Sequence, residues 1–107
     1  MKLTDKTIIR TLGQQLELLR QYRVKKIGLF GSFGRGDQKR GSDIDLLVEF
    51  DVTTFDENFS GYYDNYLALM SKLGKIFQRK VDLVTEDMIS PYIKPLMSDQ
   101  VRYVETT

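Results

Sequence analysis

The hydrophobic residues of this chain recur with two different periods, which separate predicted helices from predicted strands. From residue 4 to about residue 22, apolar residues return at three- and four-residue steps, and Thr4 or Asp5 can cap the first turn. A second stretch of helical spacing covers residues 61–77. We therefore predict two amphipathic helices that pack on a sheet. Their apolar stripes consist of Ile8, Ile9, Leu12, Leu16 and Leu19 in the first helix, and of Tyr63, Tyr66, Leu67, Met70, Leu73, Ile76 and Phe77 in the second.

Three shorter segments are predicted to be strands, because they are rich in apolar residues with strand-like spacing and are bounded by turn or polar residues. They cover residues 24–30, 43–50 and 80–84. The middle segment alternates strictly, so its residues separate into two faces. These faces are formed by Ile44, Leu46, Val48 and Phe50 on one side, and by Asp43, Asp45, Leu47 and Glu49 on the other.

The remaining segments are less regular. Residues 51–60 are acidic, and they are predicted to form either a mobile flap or a simple connection. Residues 88–104 contain Pro91 and Pro95, which break a helix or begin one, and residues 103–104 are predicted to add an edge strand. The element order predicts a small α/β domain, in which a mixed sheet carries helices mainly on one face. The C-terminal residues predicted to close over its core are Ile93, Leu96, Met97 and Val101.

The composition is that of an ordinary globular protein, with 41% hydrophobic and 29% charged residues among 107. Residues 1–107 are therefore predicted to form one domain with a modest core. The formal net charge is +1, whereas a chain-wide nucleic acid surface needs a marked basic excess. Charge therefore gives no strong signal for nucleic acid binding.

The chain contains neither cysteine nor histidine, and this narrows its chemistry. Disulfides, thiolate metal sites, Ser-His-Asp triads and the usual zinc sites are excluded. Carboxylates, lysines and tyrosines are the groups left for acid–base chemistry. No apolar run indicates a signal peptide or a membrane span, so we predict a cytoplasmic protein without membrane contact.

The clearest candidate chemistry lies where a glycine turn precedes a strand with two carboxylates. A turn at Gly31 and Ser32 lets backbone N–H groups approach a phosphate, and Arg35 adds a positive charge nearby. Asp43 and Asp45 project from one strand face, with Cα atoms about 6.5–7 Å apart. Two such carboxylates repel each other, and a hard divalent cation with oxygen ligands is the natural counter-charge. A phosphate turn beside paired carboxylates indicates nucleotide chemistry.

Two motifs carry a resemblance to a known family. Gly-Ser-x-x-Arg-Gly starting at Gly31, followed by Ser-Asp-Ile-Asp-Leu-Leu-Val starting at Ser42, resembles the signature of the DNA polymerase β-type nucleotidyltransferase superfamily. The match is nearest to its minimal nucleotidyltransferases, which occur as antitoxins beside HEPN-domain toxins. The family has a third acidic residue on a later strand, and Asp82 stands where it is expected. Gly34 stands where alanine is common in the family.

The resemblance implies a reaction and a set of site residues. It implies transfer of a nucleoside monophosphate from a nucleoside triphosphate, with ATP as donor, to a hydroxyl, with release of pyrophosphate. Mg²⁺ is the implied metal, with two ions, and Asp82 would also take the proton of the attacking hydroxyl. Arg35 is either a phosphate contact or a structural partner of a carboxylate. The implied catalytic and metal-binding residues are Asp43, Asp45 and Asp82, and the implied nucleotide-binding residues are Gly31, Ser32 and Arg35.

The resemblance further implies a partner, a HEPN toxin on a separate chain, with one of its tyrosine hydroxyls as the acceptor. HEPN nucleases carry an essential histidine motif, and this chain has no histidine, so it would be the antitoxin. Two alternatives stay open: a non-catalytic antitoxin that occludes its partner, and a nucleotidyltransferase that modifies a small molecule or RNA together with another subunit. A homo-oligomer also stays open.

Three further residues carry open interpretations. Lys39 and Arg40 fit a solvated loop as well as they fit a contact with triphosphate or acceptor. Tyr62 lies on a different face of its helix from the predicted apolar stripe, where it could contact a base or a partner.

Overall fold

The structure is a computed structural model that describes residues 2–98 and 100–104. None of the helices in these ranges is long and apolar enough to cross a membrane. Short 3₁₀ turns occupy Val52–Thr54 and Glu86–Met88. The α-helices are α1 (Asp5–Gln14), α2 (Leu16–Gln21), α3 (Gly31–Arg35), α4 (Tyr62–Phe77) and α5 (Lys94–Ser98), and the strands are β1 (Val24–Phe30), β2 (Ile44–Phe50), β3 (Val81–Val84) and β4 (Arg102–Val104).

The four strands form one sheet in the order β3-β2-β1-β4. β1 pairs antiparallel with both β2 and β4, whereas β2 and β3 are parallel. The parallel pair is connected through α4, as parallel neighbours require a crossover. β2 therefore lies between β1, which leads into the glycine turn, and β3, which carries the third acidic residue.

The core lies between one face of this sheet and helices α1, α2 and α4. Alternate residues of β2 point into it, as strand geometry requires. The predicted mixed sheet with helices mainly on one face is thus confirmed. Fully buried core residues include Ile8, Leu12, Ile27, Leu29, Ile44, Leu46, Leu69 and Leu73.

The predicted first helix is two helices in the structure. Thr4 caps α1 by accepting a hydrogen bond from the Thr7 amide, as expected. The helix ends at Gln14, and the Gln15 amide donates to the Leu12 carbonyl in a tighter turn. Gly13, which has low helix propensity, lies in this last turn. The chain then restarts as α2, which keeps apolar residues of both segments in the core.

Helix α4 buries part of its predicted apolar stripe, through Tyr66, Leu73 and Phe77, but not all of it. Tyr63 and Leu67 were predicted to be buried, but they are 66% and 38% exposed. Tyr62 instead packs edge-on against the rings of Phe50 and Phe55, at centroid distances of 5.5 and 5.2 Å. This aromatic contact half-buries Tyr62 and helps to fix the rotation of the helix. A contact of Tyr62 with a base or a partner stays a prediction. The buried face consists of Tyr66, Leu69, Leu73 and Phe77.

The C-terminal segment covers the core only in part. Ile93 and Leu96 were predicted to close over it, but they are 51% and 68% exposed. The chain instead returns to the sheet as β4, whose Val104 is 7% exposed and pairs with Ile27. The predicted edge strand is therefore confirmed, while α5 stays outside the core.

Candidate active site

Asp45 and Asp82 lie side by side, because β2 and β3 pair in parallel with these two residues in register. Ile44 and Leu46 on either side of Asp45 point into the core, so Asp45 faces the opposite side of the sheet. Asp82 has the same orientation between Val81 and Leu83. Two strands thus bring together carboxylates that are 37 positions apart in sequence.

Asp45 has a raised pKa, because its carboxyl group is partly buried and lies among other acidic groups. Partial burial raises this pKa above its ordinary value of 3.8, and the charges of Asp82 and Asp43 raise it further. A hydrogen bond between the Asp45 and Asp82 carboxyl groups acts in the same direction, and the charge of Arg35 opposes it. The three predicted aspartates are therefore electrostatic neighbours.

The glycine turn at Gly31 and Ser32 lies directly against Asp45. β1 runs antiparallel to β2 with Phe30 opposite Asp45, and the next residue turns away with φ +72°. A Cβ atom at Gly31 would lie 2.9 Å from Cγ of Asp45 and would overlap its carboxylate. Only glycine fits both this conformation and this contact. The turn and the carboxylate strand are therefore adjacent, as the sequence motif predicted.

Helix α3 starts at Gly31 and carries the other predicted nucleotide-binding residues. Ser32 is half-buried in its first turn, and Arg35 is exposed in its last. The Arg35 Nε atom lies 3.2 Å from Oδ2 of Asp37, so its nearest carboxylate partner is outside the predicted aspartate group. Its charge still reaches Asp45.

Two basic residues at this site were not identified from the sequence. Lys80 Nζ lies 3.7 Å from Asp43 and 4.0 Å from Asp82, between the two carboxylates. Arg79 donates a 2.9 Å hydrogen bond from Nη1 to the Ser42 carbonyl and holds the start of β2 against β3. A signal for Lys80 was available: it lies two positions before Asp82, and strand residues two apart share a face.

The donor set suits a hard divalent cation, because the candidate ligands are carboxylate oxygens and their mutual repulsion requires a counter-charge. In their present positions, no three acidic side chains among the described residues converge on one ion. Lys80 supplies part of the counter-charge instead. Asp43, Asp45 and Asp82 are the residues that would hold a metal, and this assignment stays a prediction.

The Lys80→Gln variant tests the role of this ammonium group. In EDTA the variant should lose about 0.2–1 kcal/mol of unfolding free energy, because two carboxylates lose a partner at an exposed site. Added Mg²⁺ should reduce the loss, since a bound cation would offset the same charge. Thermal denaturation in EDTA and in Mg²⁺ measures both effects, with exposed Lys72→Gln as control. Equal melting temperatures for Lys80→Gln, Lys72→Gln and wild type in EDTA would contradict the assignment.

The raised pKa of Asp45 predicts how stability depends on pH. The folded chain holds this proton more tightly than the unfolded chain, so the carboxyl destabilises the fold increasingly as pH rises above about 3.8. In EDTA, Asp45→Asn should therefore melt at a higher temperature than wild type at pH 7, by about 0.2–1 kcal/mol of unfolding free energy. The gain should vanish near pH 3. A gain that is the same at both pH values would show that charge is not its cause.

Comparisons with known proteins agree with this geometry. The nucleotidyltransferase domain family matches residues 12–104. The "Putative protein adenylyltransferase MJ1379" of Methanocaldococcus jannaschii is 41% identical over 105 residues, which cover 90% of this chain and 100% of that protein. The "Protein adenylyltransferase MntA" of Thermococcus cleftensis is 32% identical over 88 residues, which cover 82% of each chain.

Solved structures share the fold. A structure described as a "putative minimal nucleotidyltransferase" superposes with a TM-score of 0.71 at 23% identity, covering 92% of this chain and 94% of that one. A toxin-antitoxin structure with AMP-PNP contains a chain that superposes with a TM-score of 0.64 at 29% identity, covering 98% of this chain and 75% of that one. The family model spans most of the sequence, and in the structure the glycine turn lies against Asp45. The chain therefore belongs to the nucleotidyltransferase domain family, and it is a nucleotidyltransferase.

Proposed function

We propose that this protein is an Mg²⁺-dependent protein adenylyltransferase that transfers AMP from ATP to a tyrosine hydroxyl of a HEPN toxin and thereby acts as its antitoxin. The observation that carries the proposal is the contact of Gly31 with Asp45, which in turn lies in register with Asp82. This places a turn suited to phosphate beside carboxylates suited to a cation. Both are needed where an NTP is held and its α-phosphate is attacked.

In the proposed reaction, the acceptor hydroxyl oxygen attacks the α-phosphorus of ATP. A phosphorus–oxygen bond forms to the acceptor, the bond to the β-phosphate oxygen breaks, and pyrophosphate leaves. Asp82 accepts the hydroxyl proton. Gly31 and Ser32 hold the β- and γ-phosphates through backbone N–H groups and the serine hydroxyl. Arg35, which is exposed on the next turn of α3, reaches the same phosphates by exchanging its contact with Asp37.

The metal would be held by Asp43, Asp45 and Asp82, and when bound it would neutralise charge on the reacting phosphate and orient it for in-line displacement. The raised pKa of Asp45 supports this assignment, because the same excess of negative charge favours cation binding. Lys80 lies between two of these carboxylates, so it would have to move aside or pair with phosphate when a cation is bound.

Two observations support a protein acceptor. The relatives named above are protein adenylyltransferases, and a structural neighbour was solved as a toxin-antitoxin complex with AMP-PNP. The segment after β3 also exposes large apolar side chains, including Tyr92 at 90%, Leu96 at 68% and Met88 at 53%. Exposed apolar groups concentrated in one segment are typical of a protein-binding surface. This surface is the proposed contact with the toxin.

The experiment that tests the proposal uses ATP labelled at either the α- or the γ-phosphate. The purified protein is mixed, in Mg²⁺ or in EDTA, with the product of the reading frame next to its gene, which the proposal expects to be a HEPN toxin. We expect the α-label, and not the γ-label, to become attached to a tyrosine of the partner in Mg²⁺ alone. Transfer of the γ-label would indicate a kinase. Absence of transfer, with toxin activity still inhibited, would favour an occluding antitoxin and overturn the catalytic proposal.

A further inference from the structure

A cavity lies beside α3, and the predicted catalytic residues do not line it. Its volume is about 490 Å³. The walls come from four parts of the chain: the segment before α1, Phe33 of α3, the loop between α3 and β2, and Arg79 shortly before β3. None of the six predicted site residues lines it. Its polar lining consists of Lys2, Gln38, Lys39, Arg40 and Arg79.

The charged side chains that line this cavity in the described structure are all positive. Four cationic side chains surround it, and no acidic residue within the described part of the chain contributes to its lining. Among residues 2–98 and 100–104, none of these four forms an ion pair, whereas Arg35, Lys80 and Arg102 elsewhere all do. The chain as a whole has a net charge of only +1, so this positive charge is a local feature. Uncompensated cations around one concave space favour an anionic ligand.

Gln38 provides a second, independent indication. Its side-chain oxygen is buried and has no hydrogen-bond partner in the described structure. A buried polar atom without a partner is costly, and in native proteins such an atom usually has a bound water, ion or ligand as partner. A water molecule bound between a phosphate and this oxygen would satisfy it, while the cationic side chains would bind the anion.

We propose that this cavity binds a chain of phosphates, such as pyrophosphate or the triphosphate of a nucleotide, at a site separate from the carboxylate site. A guanidinium group can donate two hydrogen bonds to one phosphate, and an ammonium group binds phosphate as a point charge. The cavity lining contains both arginine and lysine side chains. A multiply charged phosphate also matches the number of cations better than a monophosphate. This site does not depend on the proposed transfer reaction.

One residue that lines the cavity also contacts the segment directly before β2, the strand that carries Asp45. Arg79 lines it and holds the Ser42 carbonyl, directly before Asp43. Gly36 and Gly41, both with positive φ, flank the loop that carries Lys39 and Arg40. A phosphate chain bound here would fix this loop and, through Arg79, the start of β2.

The test measures pyrophosphate binding by isothermal titration calorimetry in EDTA. The background is Asp43→Asn with Asp45→Asn, which removes the predicted metal site. In this background, Lys39→Gln with Arg40→Gln should weaken the affinity by about tenfold or more. Both residues are exposed, so folding should be preserved. Exposed Lys72→Gln with Lys75→Gln on α4 removes the same formal charge elsewhere and should leave the affinity unchanged.

Parallel titrations with ATP and AMP identify the ligand. Equal weakening for pyrophosphate and ATP, with much weaker AMP binding, would support a phosphate-chain site. Weakening for ATP alone would assign the site to a nucleoside triphosphate. No pyrophosphate or ATP binding, or equal affinity in the cavity and control variants, would overturn the proposal. Because the background lacks two of the three predicted catalytic carboxylates, failure here leaves the proposed transfer reaction untouched, and failure of that reaction leaves this site untouched.

Discussion

Replacing Asp45 by asparagine should lower AMP transfer by about 10³-fold or more, which corresponds to ~4 kcal/mol of transition-state stabilisation. Asp45 lies between Gly31 and Asp82, so it contacts both proposed halves of the site. The amide keeps nearly the same shape but loses the negative charge that would bind a cation. The initial rate of α-label transfer at saturating ATP measures the effect.

Glu49→Gln is the matched control for this variant. Glu49 is an exposed residue on the same face of β2, four positions along the strand, and lies 3.9 Å from Lys25. Its neutralisation should change transfer less than about twofold, because it lies outside the site. Equal losses in the two variants would point to a general charge effect and would refute the role of Asp45.

The double variant Asp43→Asn with Asp45→Asn separates catalysis from occlusion. If transfer protects cells, this variant should lose protection against the partner toxin while it still binds the toxin. Full protection by a variant that transfers no label would favour the occluding antitoxin. The melting temperature should stay at or above that of wild type, since the change relieves repulsion among the site carboxylates.

The second large effect is expected for Gly31→Ala. The new methyl group would overlap the Asp45 carboxylate and would also strain a residue with φ +72°. Strain of this kind costs about 1–3 kcal/mol, and displacement of Asp45 should reduce transfer by about 100-fold. Denaturant unfolding measures the stability loss, and α-label transfer measures the activity loss at a temperature where the variant is folded.

Gly36→Ala is the control that separates strain from contact. Gly36 has φ +78°, close to that of Gly31, but a Cβ atom there would meet nothing within 4 Å. It should therefore lose similar backbone stability and keep most of its transfer activity. An activity loss equal to that of Gly31→Ala would show that strain in α3, and not overlap with Asp45, decides the rate.

Local patterns were sufficient to predict the three strands and to select the candidate residues of the glycine turn and of β2. Strict alternation over residues 43–50 predicted which side chains of β2 point away from the core, since strand side chains alternate whatever the surroundings. The glycine turn before this strand could be predicted equally well. Gly31 has φ +72° and lies against the Asp45 carboxylate, and only glycine fits such a position. The resemblance carried by these motifs then indicated Asp82, 37 positions further on.

Helical spacing was less decisive. Helix α4 is apolar on more than one face, so two stripes, one through Tyr63 and one through Tyr62, were both compatible with its sequence. The rings of Phe50 and Phe55 selected the second. In the same way, Ile93 and Leu96 are apolar enough for a core, but the pairing of β4 with β1 left them outside.

The amino-acid sequence by itself determined the alternation of β2, the glycine turn and the types of group available for chemistry, because these depend on neighbours within a few residues. Only the tertiary structure decided that Lys80 lies between Asp43 and Asp82, that burial and neighbouring carboxylates raise the pKa of Asp45, and that four cations surround one cavity. These features depend on distances between segments far apart in the chain. Such distances are set by strand pairing and core packing, which no local pattern encodes.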